Sequence, residues 1–411
     1  MKRFAATNCL KVVCAVAAIL PLALSGCANV RTIPVAGQIS ESPTAGGAST
    51  RTLFVLFDGT NNDEESQTNV LALKRIIEQS TLPATVFYIE GVGAREDSQL
   101  LGDVLGVGME ERINAGYSFL SARHRPGDRI VIVGFSRGAH QARALAGLVA
   151  YAGLLDAPSA APEKESMAVN RIIDTTKDYQ DADVDSAWSR NPGEPPLRGA
   201  LQARLGVSLR PAPIAFLGLW DTVPGSAFKE YVDCREVPDS RRGERYKTGS
   251  YPSVAFIAHA VALDEKRSRF SPILLCPPMR PDLTVVDEQW FVGAHADVGG
   301  GYGMQGPTLS RISFAWMVKQ LAVALSHPLA ASEPTGDDLL APAHWSIGDA
   351  PANFRSNCVD RRRPPTARLH PSVEPRIQAG RADLIVRKAR VNAPYPFACL
   401  GPKEKGGPAV Q

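Results

Sequence analysis

The serine in Gly134-Phe135-Ser136-Arg137-Gly138 sits in the G-x-S-x-G pattern of a nucleophile elbow. A serine hydroxyl is a weak nucleophile at neutral pH and needs a general base, usually an imidazole oriented by a carboxylate. Five histidines follow beyond the next helical stretch: His259, His295, His327, His344 and His370. Only His295 follows a convincing strand and opens a glycine-rich loop, Gly293 to Tyr302; His259 reads as a mid-helix residue. For the acid, Asp221 ends the apolar run Ile214 to Trp220, at a sheet edge. Asp297, two residues past His295, is the rival and reads better as a loop stabiliser. The chemistry of such a set is acyl transfer through a covalent acyl-serine.

The tetrahedral intermediate needs two N–H donors aimed at its oxyanion. Arg137 N–H is one by position. The second is expected from Phe57-Asp58-Gly59-Thr60-Asn61-Asn62, where Gly59 permits unusual backbone angles, so the donors are Gly59 and Thr60. Asp58 reads as a support for that turn, or as a cation ligand together with Asp297. No spacing matches a metal motif, and no cofactor is implied.

These residues need a frame that holds them at one edge. Strands are predicted over Thr52 to Phe57, Thr85 to Ile89, Arg129 to Val133, Ile214 to Leu219 and Leu283 to Val292. Apolar spacings of three and four predict helices over Thr68 to Gln79, Met109 to Ala122, His140 to Leu154, Pro252 to Lys266 and Leu309 to Leu325. Alternation of the two predicts an α/β fold with a mostly parallel central sheet and helices on both faces. Residues 156–210 and 225–250 read as insertions in a catalytic domain over 51–330. The Pro-rich residues 331–411 read as an extension packing on it.

At this point the sequence resembles the α/β-hydrolase catalytic domain of type VI secretion phospholipase effectors. The resemblance runs from about residue 51 to 376. It rests on Phe57-Asp58-Gly59-Thr60-Asn61, Gly91-Val92-Gly93, the block Pro126 to Arg143 around the elbow, and Trp220-Asp221-Thr222-Val223. Ala262-Leu263-Asp264-Glu265, Trp290 to Tyr302 and His370-Pro371-Ser372-Val373 complete the series. It implies Ser136 as nucleophile, Asp221 as acid, His295 as base, and phospholipid esters as substrate. A secretion-system or envelope protein is an expected partner.

The first 26 residues are for addressing. Lys2 and Arg3 precede an apolar stretch, Val12 to Leu24, which reads as a secretory signal too short to span a bilayer. Leu24-Ser25-Gly26-Cys27 resembles the lipobox of bacterial lipoproteins, whose cysteine is diacylated. Residues 27–50 then read as a tether without apolar periodicity, with order starting at Arg51. Ala28 in place of Asp points to the outer membrane, on its periplasmic face, with the membrane reached through the lipid anchor.

Composition is that of a globular chain. Of 411 residues, 44% are hydrophobic and 21% charged, which excludes disorder and coiled coil. Formal net charge is +3, and Lys2, Arg3 and Lys11 account for it, so the remainder is neutral and gives no reason to expect nucleic acid. Cys234, Cys276, Cys358 and Cys399 permit two disulfides in three connectivities. The reading is a membrane-tethered serine hydrolase of acyl esters, phospholipids foremost. The alternative is an inert envelope lipoprotein that binds a partner lipase or secretion component.

Overall fold

A computed structural model describes residues 37–42, 50–60, 62–63, 65–91, 104–156, 162–179, 184–223, 249–303, 306–347 and 357–399. The strands are β1 (Gly37–Glu41), β2 (Thr52–Phe57), β3 (Ala84–Ile89), β4 (Arg129–Phe135), β5 (Leu154–Leu155), β6 (Leu209–Arg210), β7 (Ile214–Trp220), β8 (Phe256–Ala262) and β9 (Val285–Phe291). They continue as β10 (Ala343–His344), β11 (Arg368–Leu369), β12 (Arg381–Val386) and β13 (Ala389–Pro394). The helices are α1 (Asn69–Gln79), α2 (Val104–Arg123), α3 (Arg137–Ala152), α4 (Pro162–Asp178), α5 (Ala187–Arg190), α6 (Arg198–Leu205), α7 (His295–Gly299), α8 (Ser310–Leu325), α9 (Gly336–Leu340) and α10 (Glu374–Ala379).

Eight strands form the main sheet in the order β1-β3-β2-β4-β7-β8-β9-β11. All neighbours are parallel except β1, which pairs antiparallel with β3. The central strands carry unbroken apolar runs because they are covered on both faces. On β2, Leu53, Val55 and Phe57 turn toward α2, α3 and α4, while Phe54 and Leu56 turn toward α1 and α8. That alternation divides the core into two layers, one on each side of the sheet. Thr68 caps α1, its hydroxyl accepting from Leu71 N–H at 3.2 Å.

Three expectations are corrected. Pro252 to Lys266 is not a helix: Phe256–Ala262 is strand β8, paired on both sides by β7 and β9. A short apolar run buried on both faces satisfies helical spacing by accident. His259, expected mid-helix, therefore lies in the sheet. Order also begins before Arg51, because Gly37–Glu41 closes one edge of the sheet by pairing with β3.

The C-terminal residues are part of the core. Arg368–Leu369 supplies the other edge strand, and Trp345, Val373, Leu384, Tyr395 and Phe397 pack in the same layer as α1 and α8. Residues 156–210 contribute α4 to α6 and bury Val169, Ile172, Trp188 and Leu201 in the opposite layer. Cys358 is joined to Cys399, and Cys276 is disulfide-bonded as well. The expected signal, Cys27 and nearly all of 225–250 with Cys234 lie outside the described residues. Among the described residues no helix is long and apolar enough to cross a membrane.

Candidate active site

Ser136 occupies the one-residue turn between β4 and α3 with φ 61° and ψ −126°. A non-glycine residue at positive φ is strained, and such strain persists where the surroundings over-determine it. Here they do. A Cβ on Gly134 would stand 2.4 Å from the Gly138 carbonyl oxygen, and one on Gly138 would stand 2.4 Å from the Phe57 carbonyl oxygen. Both glycines let the elbow close and seat the start of α3 against the end of β2. Ser136 N–H donates to Trp220 O at 2.9 Å, which ties the elbow to the end of β7.

Asp221 follows Trp220 directly, fully buried and itself at φ 39°. Its N–H donates to Ala260 O at 2.8 Å, and its Oδ1 accepts from Ala262 N–H at 2.9 Å, so β8 fixes its orientation. Its Oδ2 lies 2.5 Å from His295 Nδ1. His295 opens α7 beyond β9, and its ring stands between Phe135, centroids 4.6 Å apart, and Phe270, 4.9 Å apart. The structure thus gathers Ser136, Asp221 and His295 at the carboxyl ends of β4, β7 and β9.

Burial alone would raise the Asp221 carboxyl, but the Arg361 guanidinium and the His295 hydrogen bond outweigh it and hold it well below the usual carboxylate range. Burial pushes the His295 imidazole below its ordinary value, against the upward pull of Asp221. Glu265 is buried beside the pair and accepts the His295 backbone N–H at 3.2 Å. Burial would raise it too, yet its ion pair with Arg267 brings it down to about 2. Arg267 in turn lies 3.6 Å over the Phe270 ring.

The loop after β2 meets the elbow from the other side. Asp58 takes the Thr68 hydroxyl at 2.6 Å, the Tyr88 hydroxyl at 2.7 Å and Gly59 N–H at 2.7 Å. Burial pushes this carboxyl up to about 6, against those donors. The Gly59 N–H expected to face an oxyanion is thus turned onto Asp58. Thr60 follows in this loop, and its buried Oγ1 has no hydrogen-bond partner. Arg137 opens α3, whose first N–H groups have no intrahelical acceptor.

Asp297 does not reach the His295 ring. Its carboxylate accepts from Ala294 N–H at 2.9 Å and His344 N–H at 2.8 Å, and lies 2.6 Å from His344 Nδ1, which pins the glycine-rich loop to β10. Asp58 and Asp297 are each filled by their own donors. Among the described residues no three His, Cys, Asp or Glu side chains converge to hold a metal.

The other histidines have separate duties. His370 stacks on Phe291 at 4.4 Å and burial pushes it down to about 4. His259 Nε2 accepts Thr222 N–H at 3.1 Å and its Nδ1 lies 2.9 Å from Glu288, so it supports the residue after Asp221. No sequence pattern points to Arg361 or to the Glu265–Arg267 pair as a whole. The ordered block Ala262-Leu263-Asp264-Glu265 marks only the acidic member of that pair.

An uncharacterised protein of Saccharomyces cerevisiae, YEL023C, is 26% identical over 269 residues, covering 60% of this chain and 36% of its own length. Solved structures with similarity include an uncharacterised Pseudomonas aeruginosa protein (20% identity, 69% of this chain and 47% of that one, TM-score 0.35). Another is a Tle1 effector bound to the VgrG spike of the type 6 secretion system (21%, 65% and 54%, TM-score 0.31). The apo esterase 2 of Thermogutta terrifontis is 12% identical over 74% of this chain and 94% of its own, with TM-score 0.39. The chain spans about a third of the yeast relative and about half of the first two structures. The family model described as T6SS, phospholipase effector Tle1-like, catalytic domain matches residues 51–320, a stretch that holds Ser136, Asp221 and His295 together, and the chain belongs to that family.

Proposed function

We propose that the protein is a serine hydrolase of acyl esters, phospholipids foremost, held at the cell envelope by a lipid on Cys27. One observation carries the chemistry: a strained serine elbow beside a histidine whose Nδ1 is engaged by a buried, ionised Asp221. With Nδ1–H donated to Asp221, Nε2 is the basic nitrogen of the imidazole and is left for the Ser136 hydroxyl.

In this reading Ser136 Oγ attacks the acyl carbonyl carbon while His295 Nε2 takes its proton. The carbonyl oxygen becomes an oxyanion held by the N–H groups of Arg137 and Thr60. The imidazolium, stabilised by Asp221, gives the proton to the departing alcohol oxygen as the ester C–O bond breaks. Water then attacks the acyl-serine with His295 again as base, releasing the fatty acid and restoring Ser136. Family membership supports phospholipid as the substrate, and the Leu24 to Cys27 sequence supports the anchor.

Fatty-acid release from mixed phospholipid vesicles, measured for the wild type beside Ser136→Ala, tests this reading. Release by the wild type alone is expected. Equal labelling of wild type and Ser136→Ala by a fluorophosphonate would overturn the nucleophile, and labelling without lipid turnover would replace phospholipid by another ester. Labelling of neither protein would favour an inert binding lipoprotein.

A further inference from the structure

We infer that Arg361 is a positioning residue for this hydrolysis, delivered to Asp221 by a strap from the C-terminal part of the chain. The inference rests on the Ser136–His295–Asp221 reading above. The Arg361 guanidinium grips both oxygens of Asp221, Nη1 to Oδ1 at 2.6 Å and Nη2 to Oδ2 at 2.9 Å. Nη1 also donates to Ala262 O at 2.6 Å, and Nη2 to Phe270 O. The Arg361 side chain is 4% exposed, so this pair is out of water.

The strap is built to keep it there. Ser268 N–H donates to Asn357 O at 3.0 Å and Val359 N–H to Lys266 O at 2.8 Å. Lys266 Nζ pairs with Asp360 at 2.7 Å, and Cys358 is bonded to Cys399. The family match ends at residue 320, so this cation comes from outside the matched stretch.

Two physical consequences follow. A carboxylate orients an imidazole only as well as it is itself oriented. Asp221 Oδ1 is held by Ala262 N–H and Nη1, while Oδ2 is shared by His295 Nδ1 and Nη2, so rotation about Cβ–Cγ breaks bonds at both oxygens. Arg361 also balances charge. The charged groups facing the imidazole are Asp221, Glu265 and Arg267, with Arg361 directly behind Asp221. Glu265 and Arg267 largely cancel as a buried pair, which leaves Arg361 to offset Asp221. Removing it leaves a net anion beside the ring and favours the imidazolium. The base then needs a higher pH to be neutral.

The test is the pH dependence of kcat/KM for p-nitrophenyl butyrate with wild type, Arg361→Gln and Arg361→Lys. Rates are normalised to sites titrated by a fluorophosphonate, so unfolded protein does not count. For Arg361→Gln, kcat per site should fall on the order of 10²-fold, the scale of a mispositioned catalytic group, and the acid limb should move to higher pH. Arg361→Lys keeps the charge but loses the two-pronged grip. Its limb should stay at the wild-type pH while kcat recovers only in part. An unmoved limb in Arg361→Gln, or a wild-type rate per site in Arg361→Lys, would overturn the inference. Ser136→Ala run in parallel separates two failures. Undiminished hydrolysis there overturns the serine mechanism and this inference with it, whereas its loss beside an unmoved limb overturns the role of Arg361 alone.

Discussion

Ser136 N–H donates to the carbonyl of Trp220 at 2.9 Å, so the elbow serine and the residue before Asp221 are hydrogen-bonded across the ends of β4 and β7. Ser136 and Asp221 are thereby set by one parallel strand pair, with Ser136 held at φ 61°. That strain is worth of order 1–3 kcal/mol for a residue with a Cβ. Ser136→Gly and Ser136→Ala should both lose hydrolysis, but the glycine variant should be the more stable of the two by about 1 kcal/mol, because glycine is unstrained at this angle yet freer when unfolded. Thermal melts of the two proteins check this, and equal midpoints would count against a strained elbow.

The pH profile has a defined sign. In the proposed hydrolysis His295 must be neutral to accept a proton, so activity is lost as pH falls through its pKa. Burial pulls that pKa below 6.5 by more than Asp221 raises it. The acid limb of kcat/KM should therefore lie below pH 6.5, and a limb above that value would mean that the ring is solvated or that another base acts.

Asp58 links the loop after β2 to stability. Its carboxyl is raised from 3.8 to about 6 in the fold, so the folded state binds the proton more tightly than the unfolded chain does. Its contribution is fully present below about pH 4 and is lost as pH rises through about 6, some 3 kcal/mol in scale. Asp58→Asn keeps an acceptor for Gly59 N–H, and its amide can donate to the Thr68 or Tyr88 hydroxyl. The variant should lose about one proton of pH dependence between pH 4 and 6. Urea unfolding across that range measures it, and an unchanged slope would mean that Asp58 is ionised at its ordinary pKa.

What could be read from the sequence follows from how each contact is specified. β2, β4 and β7 declare themselves because strands covered on both faces must be apolar throughout, and the elbow declares itself because its glycines answer close backbone approaches. β8 did not, since Ile257, Ala258, Ala260 and Val261 fit a helix stripe as well as a buried strand. The Gly59 N–H turns away from the expected position because the preceding side chain folds back onto it, a contact that residue types alone do not specify. Arg361 lies 140 residues from Asp221 in a run of three arginines, and no local pattern says which of them turns inward.

The Cys358–Cys399 bond closes a loop between residues 41 apart, and the chain-entropy model gives such a cross-link about 4 kcal/mol by restricting the unfolded state. The bridge also joins the Arg361 strap to the end of the last described segment, next to Phe397 of the core. Breaking it therefore acts twice, on the unfolded chain and on the seat of Arg361. Cys358→Ser/Cys399→Ser, which spares the disulfide of Cys276, should unfold at lower urea. It should also show a reduced rate per titrated site, with the acid limb displaced in the same direction as in Arg361→Gln. An equal urea midpoint would mean that the bridge adds nothing to stability. A wild-type rate and limb at a lowered midpoint would mean that the backbone bonds of Asn357 and Val359 to residues 266–268 hold the strap without it.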